Sequence, residues 1–479
     1  MNYVRDVVES APPDRLAMIE LSRDGARRRW TFGEVADRSR RLSGTLAAHG
    51  VGRGDVVMTL MGNRAEWVFA ILACVRLGAI ALPCTEQLRA KDLRLRLDRT
   101  APAAILADVR NLDVLGEASP SCPVLAVPDE ALFAADPTPP AEPAAGTDDG
   151  AFIIFTSGTS GEPKAVLHGT RYLSGQALQA EHWLDARPGD LVWCTAAAGW
   201  SKSARNTFIA PWLRGASVLL HDARFDPGER LEILERERVS VLCMSPTEYR
   251  IMAARTELPR LPQLRSAVAA GEALGPDTIA QWREETGVVV RDGFGQTETG
   301  ALTGMGPADA LRPGSMGRPL PGVRTEIVDG ELVLDPRSVP TFFTRYLGAE
   351  PHSGPWRTGD RVDVDEDGYL WHRGRVDDLI ISSGYRISPG EVEAALLTHS
   401  AVADVGVIAA PDAERGAIVR AVVVLRDGVV PSASLVADLQ AHVKQQTAPY
   451  KFPRVIDFAD HLPRTPSGKL RRAALRGDT

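Results

Sequence analysis

The sequence has few of the residues that build disulfide frameworks and zinc sites. Among 479 residues there are five cysteines, which are scattered and contain no Cys-x-x-Cys pair. The nine histidines form no His-Glu-x-x-His or other metal-ligand spacing. We therefore expect neither a disulfide framework nor a histidine-bound metal, and each histidine is interpreted as a packing or surface residue.

Long apolar runs and an excess of positive charge are also missing. The longest apolar stretch, 67–82, is interrupted by Arg76, and the first residues lack the apolar core of a signal peptide. The net charge is −7, with 44% hydrophobic and 24% charged residues, as in globular proteins. These features predict a cytoplasmic protein with small-molecule ligands, no nucleic-acid partner and no stable membrane insertion.

Alternating helix and strand patterns predict an α/β fold. Thr31 and Glu34 have the spacing of a capping box that starts a helix. Apolar runs predict strands at 56–60, 79–82, 103–107, 152–155, 217–220, 239–242 and 267–270, and a helix at 65–77. A Pro- and Ala-rich stretch, 134–149, predicts an exposed connector. After residue 323, short strands predict a β-rich unit, and the pattern from 390 predicts a compact α+β domain.

The segment Thr-Ser-Gly-Thr-Ser-Gly-Glu-Pro-Lys at 156–164 follows the predicted strand 152–155. Ligands collect at such strand ends in α/β sheets. Glycines let backbone N–H groups approach a phosphate, hydroxyls donate hydrogen bonds, and Lys164 supplies a cation. An ordinary Gly/Ser turn is the alternative. Because Pro163 precedes and Ala165 follows this lysine, the loop is not a Walker A motif, which disfavours P-loop kinases.

A second polar segment, Asp-Gly-Phe-Gly-Gln-Thr-Glu-Thr-Gly at 292–300, follows the apolar run 288–290 and is predicted to lie after a strand end. Thr297 is suited to hold a phosphate and Glu298 a magnesium ion, because Mg²⁺ prefers oxygen ligands shared between carboxylates and substrate phosphates. A polar turn is the alternative. The Asp-rich segment 363–368 lacks the distal glutamate of a calcium loop and predicts a solvated β-turn.

Three further motifs follow in order: Arg-Thr-Gly-Asp at 357–360, 374–378 together with 383–386, and Pro-Arg-Thr-Pro-Ser-Gly-Lys at 463–469. With the two loops they resemble the acyl-adenylate-forming superfamily of acyl-CoA synthetases, peptide-synthetase adenylation domains and firefly-type luciferases, over about 31–475. Segments that look most like its medium-chain acyl-CoA synthetase branch are 199–202, 384–387 and 447–454.

The resemblance implies two half-reactions with ATP, Mg²⁺ and coenzyme A as cofactors. A carboxylic acid attacks the α-phosphate of ATP to give acyl-AMP and pyrophosphate, and the CoA thiol then displaces AMP. In the superfamily a mobile C-terminal domain rotates about a hinge residue, which Asp377 matches; an ordinary exposed carboxylate is the alternative. The expected domains are an AMP-binding domain, 1–376, and a lid domain, 377–479. The expected fold is α/β, with two doubly wound subdomains and a small β-rich subdomain before the mobile α+β lid.

The resemblance also implies roles for the nucleotide-binding residues. The β- and γ-phosphates are assigned to Thr156, Ser157, Gly158, Thr159, Ser160, Gly161 and Lys164. The α-phosphate is assigned to Thr297, Mg²⁺ to Glu298, and the ribose hydroxyls to Asp360 and Arg375. Adenine would be framed by Gly271, Glu272, Ala273, Asp292 and Gly293, and the cofactor-binding segment continues through Phe294, Gly295 and Gln296. Lys469 would bridge the acyl carboxylate and ATP, with a tail lysine as the alternative.

For the second half-reaction, the thiol tunnel is assigned to Ser383, Gly384, Tyr385 and Arg386. Arg415 and Lys451 are candidates for the charged end of CoA, against the alternative of solvated side chains. Acetate-specific relatives carry tryptophan where this chain has Gly295, which predicts a deeper acyl pocket. Trp200 is a candidate pocket wall, and Lys202 either meets a polar group of the substrate or is a solvated surface lysine.

The motifs favour an acid–thiol ligase acting on a medium-chain, branched or aromatic acid. The runner-up keeps adenylation but passes the activated group to a carrier-protein thiol, an amine or nitrite. A non-catalytic nucleotide-binding protein would have lost Lys469, Glu298 or Asp360, and all three are present. The loops at 328–331 and 335–340 look shortened, which leaves the chain-length preference and the quaternary state, monomer or homodimer, open.

Overall fold

The computed structural model describes residues 2–134, 146, 148–156, 163–272, 274–376, 378–382, 385–412, 415–464 and 470–476. Most of the predicted connector lies outside these residues. So do these predicted site residues: Ser157, Gly158, Thr159, Ser160, Gly161, Ala273, Asp377, Ser383, Gly384 and Lys469.

Within the described ranges, the strands in chain order are β1 (Leu16–Leu21), β2 (Arg27–Thr31), β3 (Val56–Leu60), β4 (Ile80–Cys84), β5 (Ala104–Asp108), β6 (Val124–Val127), β7 (Gly150–Phe155), β8 (Ala165–Gly169), β9 (Leu191–Cys194), β10 (Ser217–His221), β11 (Val241–Met244), β12 (Ser266–Ala270), β13 (Val290–Gln296), β14 (Gly300–Gly304), β15 (Arg318–Pro319), β16 (Thr325–Val328), β17 (Glu331–Leu334), β18 (Arg345–Tyr346), β19 (Trp356–Val364), β20 (Leu370–Arg375), β21 (Ile380–Ser382), β22 (Tyr385–Ile387), β23 (Val402–Asp412), β24 (Gly416–Leu425) and β25 (Val455–Phe458).

The α-helices of the same ranges are α1 (Phe32–Ala48), α2 (Ala65–Leu77), α3 (Ala90–Thr100), α4 (Leu112–Glu117), α5 (Arg171–Gly175), α6 (Ala177–His182), α7 (Ala210–Leu213), α8 (Pro227–Arg236), α9 (Pro246–Arg255), α10 (Pro276–Thr286), α11 (Pro389–Leu397), α12 (Ala433–Gln446) and α13 (Arg472–Leu475). Two π-helices, Val4–Glu9 and Arg205–Ile209, and four 3₁₀ turns, Val109–Asn111, Glu130–Phe133, Pro336–Ser338 and Pro449–Lys451, complete the set.

Local sequence signals explain several element boundaries. The capping box at the start of α1 is confirmed: the Glu34 amide donates to Thr31 Oγ1 at 3.2 Å, and the Thr31 amide donates to the Glu34 carboxylate at 2.8 Å. Helix α2 ends where Gly78 adopts φ +67°, a left-handed conformation that glycine adopts without steric cost. Arg76, which interrupts the apolar run, is itself buried and pairs with Glu9 at 2.5 Å.

Two compact units divide the chain. The first consists of Met1–Thr156, Pro163–Arg324 and Asp335–Gly354, and the second includes Thr325–Leu334 and Pro355–Thr479. The sheet formed by β16, β17, β19 and β20 precedes residue 377 and belongs to the second unit. The functional boundary between 376 and 377 therefore stays a prediction.

The first unit contains two large sheets. The seven-stranded sheet has the order β18-β8-β7-β4-β3-β5-β6, and the nine-stranded sheet has the order β15-β14-β13-β12-β11-β9-β10-β1-β2. The predicted parallel pairing holds in their centres, whereas the antiparallel strands lie at or next to the sheet edges: β18 and β8 in the first sheet, and β15, β14 and β2 in the second. The β7–β8 and β13–β14 pairs are joined by the two predicted polar loops, because a short connection can join only antiparallel neighbours.

An ion network ties the two sheets together at the ends of their strands. Asp222, which follows β10, accepts hydrogen bonds from Arg110 at 2.9 Å and from Arg23 at 3.4 Å. Both arginines also contact Glu86, at 2.8 and 2.6 Å. A Cβ atom on Gly62 would lie 2.0 Å from Asp222 Oδ1, so this close approach requires glycine. The network holds the ends of β3, β4 and β5 against β10.

The second unit contains the four-stranded sheet, the hairpin β21–β22, and the three-stranded sheet β23-β24-β25. Helices α11 and α12 cover a core that includes Ile380, Val392, Val407, Val423 and Leu439. The α/β fold class with a large N-terminal part and a small α+β C-terminal part is thus confirmed. The predicted β-turn at 363–368 is also present, with the Gly368 amide donating to the Asp365 carbonyl at 3.0 Å. None of the described helices is long and apolar enough to cross a membrane.

Candidate active site

The base of the first loop is closed by two hydrogen bonds. The Thr156 amide donates to the Lys164 carbonyl at 2.9 Å, and the Lys164 amide donates to Thr156 Oγ1 at 3.1 Å. These bonds extend the β7–β8 pairing by one step, so both ends of the loop are fixed by the sheet. The Lys164 side chain is exposed, which leaves its ammonium group available to a ligand.

The second loop is shorter than the sequence predicted. We expected the strand to end at 290, but β13 begins there and continues to Gln296. Asp292 and Gly293 therefore lie inside a strand, paired with Ala269 and Ala270 of β12. Polar and glycine-rich segments have low intrinsic β propensity, and here pairing with neighbours on both sides overrides it. Only 297–299 forms the turn, before β14 returns.

Glu298 lies in this turn and is connected to Lys164 through Tyr346. The Tyr346 hydroxyl donates to Glu298 Oε1 at 2.8 Å, and Lys164 Nζ lies 5.0 Å from the centre of the tyrosine ring. Burial and the neighbouring carboxylate raise the pKa of Tyr346, so its hydroxyl keeps its proton. The Phe343 amide donates to the Glu298 carbonyl at 2.7 Å and fixes the backbone of the turn. The structure thus brings Lys164, Glu298 and Tyr346 together.

The backbone of Thr297 is held by a hydrogen bond from His168. The buried imidazole donates from Nε2 to the Thr297 carbonyl at 2.9 Å. A carbonyl only accepts hydrogen bonds, so Nε2 carries the proton. Burial lowers the pKa of His168 to about 3, and the charge of Arg205 adds to this effect. His168 is therefore neutral at physiological pH and positions the turn as a fixed hydrogen-bond donor.

Asp292 is buried within β13. Its carboxylate accepts hydrogen bonds from the Gly293 amide at 2.8 Å and from the Leu274 amide at 3.3 Å. Burial raises the pKa of Asp292 to about 7, while the two amides oppose the shift. The repulsion from Glu272 adds to the rise and the charge of Lys202 opposes it. Asp292 is thus the described residue of the predicted adenine frame whose charge changes near neutral pH.

The raised pKa predicts a loss of stability with rising pH. The folded state holds this proton more tightly than the unfolded chain, so the stabilisation is complete below the unfolded pKa of about 4 and is lost as the pH passes through about 7. Between pH 5 and pH 8, we expect the free energy of unfolding to fall by about 3 kcal/mol more in the wild type than in Asp292→Asn. Urea unfolding of both nucleotide-free proteins measures this difference. Parallel pH profiles would contradict the assignment.

Gly295 lies where the hairpin strands approach most closely. A Cβ atom there would stand 1.9 Å from the Gly300 carbonyl oxygen. No side chain fits unless β14 moves, so the close backbone approach alone requires glycine at this position. The predicted deeper acyl pocket stays a prediction.

Lys202 is placed near the predicted adenine segment. Its ammonium group donates to the Ala270 carbonyl at 3.1 Å and lies 3.5 Å from the position of a Cβ on Gly271. The side chain is half-buried, and its role as a substrate contact stays a prediction. Trp200 is also half-buried. Glu272 accepts a hydrogen bond from Thr247 Oγ1 at 2.8 Å.

In the second unit, the structure pairs Asp360 with Arg375 across β19 and β20. Arg375 Nη1 lies 3.3 Å from Asp360 Oδ2, and His372 Nε2 lies 3.0 Å from Oδ1. The same Arg375 nitrogen donates to the Thr358 carbonyl at 3.1 Å. A Cβ on Gly359 would stand 2.6 Å from the guanidinium. The predicted ribose pair is therefore assembled, with the glycine giving the arginine room.

Of the predicted CoA-binding residues, Tyr385 and Lys451 lie close together, through Tyr450. The rings of Tyr385 and Tyr450 stack with centroids 4.2 Å apart, both rings are exposed, and Lys451 Nζ lies 5.8 Å from the Tyr450 ring. Lys451 also pairs with Glu391. The Arg415 amide donates to Asp412 at 2.9 Å. Arg386 lies in β22.

Sequence reasoning missed Tyr346, His168 and Arg205. Tyr346 and His168 act through partners distant in sequence: 48 residues separate Tyr346 from Glu298, and 129 separate His168 from Thr297. No local pattern marks such pairs. Among the residues that the structure describes, no group of three or more His, Cys, Asp or Glu side chains could hold a metal ion by itself. A metal at Glu298 would need ligands from a substrate, as is usual for Mg²⁺.

The two sheets of the first unit, with Thr156 and Lys164 at the ends of β7 and β8 and a polar turn after β13, are typical of adenylate-forming enzymes. The family described as AMP-binding enzyme matches residues 4–340, and the AMP-binding enzyme C-terminal domain matches 391–469. The acyl–CoA ligase YtcI of Bacillus subtilis (strain 168) is 37% identical, covering 98% of this chain and 94% of that protein. Human mitochondrial acyl-coenzyme A synthetase ACSM3 is 34% identical, covering 99% and 89%.

A solved structure shows the same fold. The benzoate CoA ligase from Burkholderia xenovorans LB400 superposes with a TM-score of 0.87 at 27% identity, covering 99% of this chain and 100% of that one. The chain therefore belongs to the AMP-binding enzyme family, which confirms the predicted resemblance. It is an AMP-forming acid–thiol ligase of the acyl-CoA synthetase type, with ATP, Mg²⁺ and CoA as cofactors.

Proposed function

We propose that this chain converts a medium-chain, branched or aromatic carboxylic acid into its CoA thioester through an acyl-AMP intermediate, with release of pyrophosphate and AMP. The observation that carries the proposal is the contact between Lys164, Tyr346 and Glu298, which places a cation and a carboxylate beside one turn of the first unit. ATP chemistry needs this pair, because the phosphates require positive charge and their Mg²⁺ requires an oxygen ligand.

In the first half-reaction, Lys164 and Thr156 bind the terminal phosphates and Thr297 binds the α-phosphate. Glu298 Oε1 is held by Tyr346, and no hydrogen bond within the described residues reaches Oε2. This second oxygen is a suitable magnesium ligand. When bound, Mg²⁺ offsets the charge that builds up on the phosphates. His168 keeps Thr297 in place throughout, since it stays neutral and does not exchange its proton with the substrates.

The second unit contributes the other proposed roles. Asp360 accepts hydrogen bonds from the ribose hydroxyls, and Arg375 orients that carboxylate. Lys469 bridges the acyl carboxylate and ATP. Asp377 is the proposed hinge between the two half-reactions, and CoA is received by the 383–386 segment and Lys451. The predicted cytoplasmic location and quaternary state stay predictions.

Pyrophosphate release across a panel of acids tests the proposed function. The panel contains acetate, butyrate, hexanoate, octanoate, isobutyrate, benzoate and cinnamate, each with and without CoA. We expect CoA-stimulated turnover that is highest for one class of acid and low for acetate. Release that ignores CoA would instead favour a carrier-protein thiol, an amine or nitrite as acceptor.

Replacing Tyr346 with phenylalanine tests the link between this tyrosine and Glu298. The ring stays available to Lys164, but the hydroxyl that fixes the carboxylate is lost. A hydrogen bond to a charged group contributes about 1.5–3 kcal/mol, so we expect the Mg²⁺ concentration for half-maximal rate to rise about tenfold or more. Tyr249→Phe is the matched control, because it removes a buried hydroxyl that bonds only the Leu242 and Val268 carbonyls. The same magnesium dependence in both variants would contradict the role of Tyr346.

A further inference from the structure

A buried cation without an acidic partner lies beneath the turn at 297–299. Arg205 is 6% exposed and begins the π-helix Arg205–Ile209. Its side chain interacts with the Tyr172 hydroxyl, but its Nε and Nη1 atoms have no hydrogen-bond partner, and no carboxylate in the described ranges pairs with it. Buried charges in proteins are normally paired or bound to a ligand, because removing them from water is costly. π-helices occur frequently at functional sites.

A second cation lies three residues earlier. The Lys202 ammonium group donates to the Ala270 carbonyl, and no described carboxylate pairs with it. Both cations act on one buried side chain: a hydrogen bond with Cys194 and burial raise the pKa of Cys243, and the charges of Lys202 and Arg205 oppose that rise. Cys243 lies near the carboxyl end of β11. Because Ala270 is the last residue of β12, Lys202 lies at the carboxyl end of a parallel strand, where α/β proteins bind ligands.

Arg205 is adjacent to the turn that is proposed to hold the α-phosphate. Arg205 Nη1 lies 3.4 Å from the position of a Cβ on Gly300, the residue that follows the turn. The charge of Arg205 also acts on His168, which donates to the Thr297 carbonyl. An acid that attacks the α-phosphate has its reacting carboxylate at this turn. A second group on the same small molecule is therefore within reach of Arg205.

We propose that the preferred substrate is a dicarboxylic acid, aliphatic or aromatic, whose second carboxylate is bound by Arg205 and Lys202. This substrate class rests on the proposed function. A guanidinium matches a carboxylate in geometry and charge, so the diacid would satisfy donors that the protein leaves unpaired. A monocarboxylic acid would leave the same cation buried and unpaired. Arg205 and Lys202 thus recognise the group at the far end of the substrate from the reacting carboxylate.

The test compares matched acids that differ only in the second carboxylate: butyrate with succinate, hexanoate with adipate, and benzoate with isophthalate. CoA-dependent pyrophosphate release gives kcat/KM for each acid. For at least one pair, we expect the wild type to prefer the diacid by tenfold or more. Breaking a desolvated charge pair lowers affinity strongly, so Arg205→Leu should reduce kcat/KM for that diacid about 100-fold more than it reduces kcat/KM for the matched monoacid.

Two further variants separate binding from folding. Arg205→Lys keeps a cation and should recover part of the diacid preference. If Arg205→Leu does not fold, Lys202→Met takes its place in the test, and this variant should also reduce the diacid preference. A wild type that prefers the monoacid in all three pairs would overturn the proposal. So would an equal loss on both acids in Arg205→Leu, since the arginine would then be purely structural.

Failure of the proposed function is distinguishable from failure of the diacid site. If no acid of either panel gives pyrophosphate, the proposed function fails. Thermal unfolding of the nucleotide-free protein with each diacid then tests whether Arg205 binds the second carboxylate. A rise in Tm with a diacid that is present in the wild type and absent in Arg205→Leu would support the site. No such rise would overturn it.

Discussion

Lys469→Ala is expected to abolish adenylation while sparing the second half-reaction. We expect the rate of acyl-AMP formation to fall about 100- to 1000-fold, because the variant loses one cation that offsets charge in the transition state of phosphoryl attack. Thioester formation from preformed acyl-AMP and CoA should stay within about threefold of the wild type. ATP takes no part in that step, in which the CoA thiol displaces AMP from the acyl group. ATP–pyrophosphate exchange measures the first half-reaction, and thioester formation from synthetic acyl-AMP measures the second.

Lys444→Ala is the matched control for this split. Lys444 belongs to the same unit and lies in α12, its ammonium group is 4.0 Å from the centre of the Phe452 ring, and it is not one of the predicted site residues. Both half-reactions should be unaffected in the control. Equal loss of both halves in Lys469→Ala would contradict the assignment of this lysine to adenylation alone, and with it the proposed use of two different active sites.

The elements predicted best are those in which local pattern and packing agree. The helix at 65–77 and the strand at 56–60 were predicted to the residue, because both are mostly apolar and bounded by turn signals. The bounds of strand β13 were predicted wrongly, because the apolar run stops at Val290 and the rest of the strand is polar and rich in glycine. Its register is set by β12 and β14, which lie outside any local window.

The candidate site was predictable to the extent that its residues lie in contiguous motifs. Asp360 and Arg375 belong to two of these motifs, and the structure pairs them across a hairpin. Tyr346 and Arg205 were not predictable, since their importance depends on which distant residues surround them. An isolated tyrosine in a short edge strand and an arginine in a helix have no sequence signature. The role of Tyr346 follows from its contact with the Glu298 carboxylate, and the role of Arg205 follows from the lack of a carboxylate beside it in the described ranges.

The unpaired state of Arg205 contrasts with the arginines of the ion network between the two sheets. Arg110 and Arg23 each contact two carboxylates, and Gly62 lacks a side chain where Asp222 approaches. Both arginines of this network therefore have acidic partners, whereas the buried Arg291 of the same unit donates to the Met305 carbonyl and to Ser266 Oγ. A more deeply buried arginine without an acid beside the reacting turn departs from that pattern, which is expected of a residue that serves a ligand.

Glu298→Gln should cause the largest loss among the residues of the first unit. Glutamine has nearly the same volume and can still accept the hydrogen bond from Tyr346, so the turn should keep its shape. The variant loses the negative charge that a magnesium ligand needs. We expect the rate of adenylation to fall about 1000-fold at ordinary Mg²⁺ concentrations and to recover partly as Mg²⁺ is raised.

A magnesium titration of pyrophosphate release distinguishes a metal ligand from a purely structural carboxylate. Glu181→Gln is the control, because Glu181 is a half-exposed carboxylate of the same unit that pairs only with Arg214. If Glu298→Gln lowers the rate but leaves the half-saturating Mg²⁺ concentration at the wild-type value, Glu298 does not bind the metal. The contact with Tyr346 would then serve to hold the turn for Thr297. A shift of that concentration in Glu298→Gln, with a smaller shift in Tyr346→Phe, would assign the metal to the carboxylate and its orientation to the tyrosine.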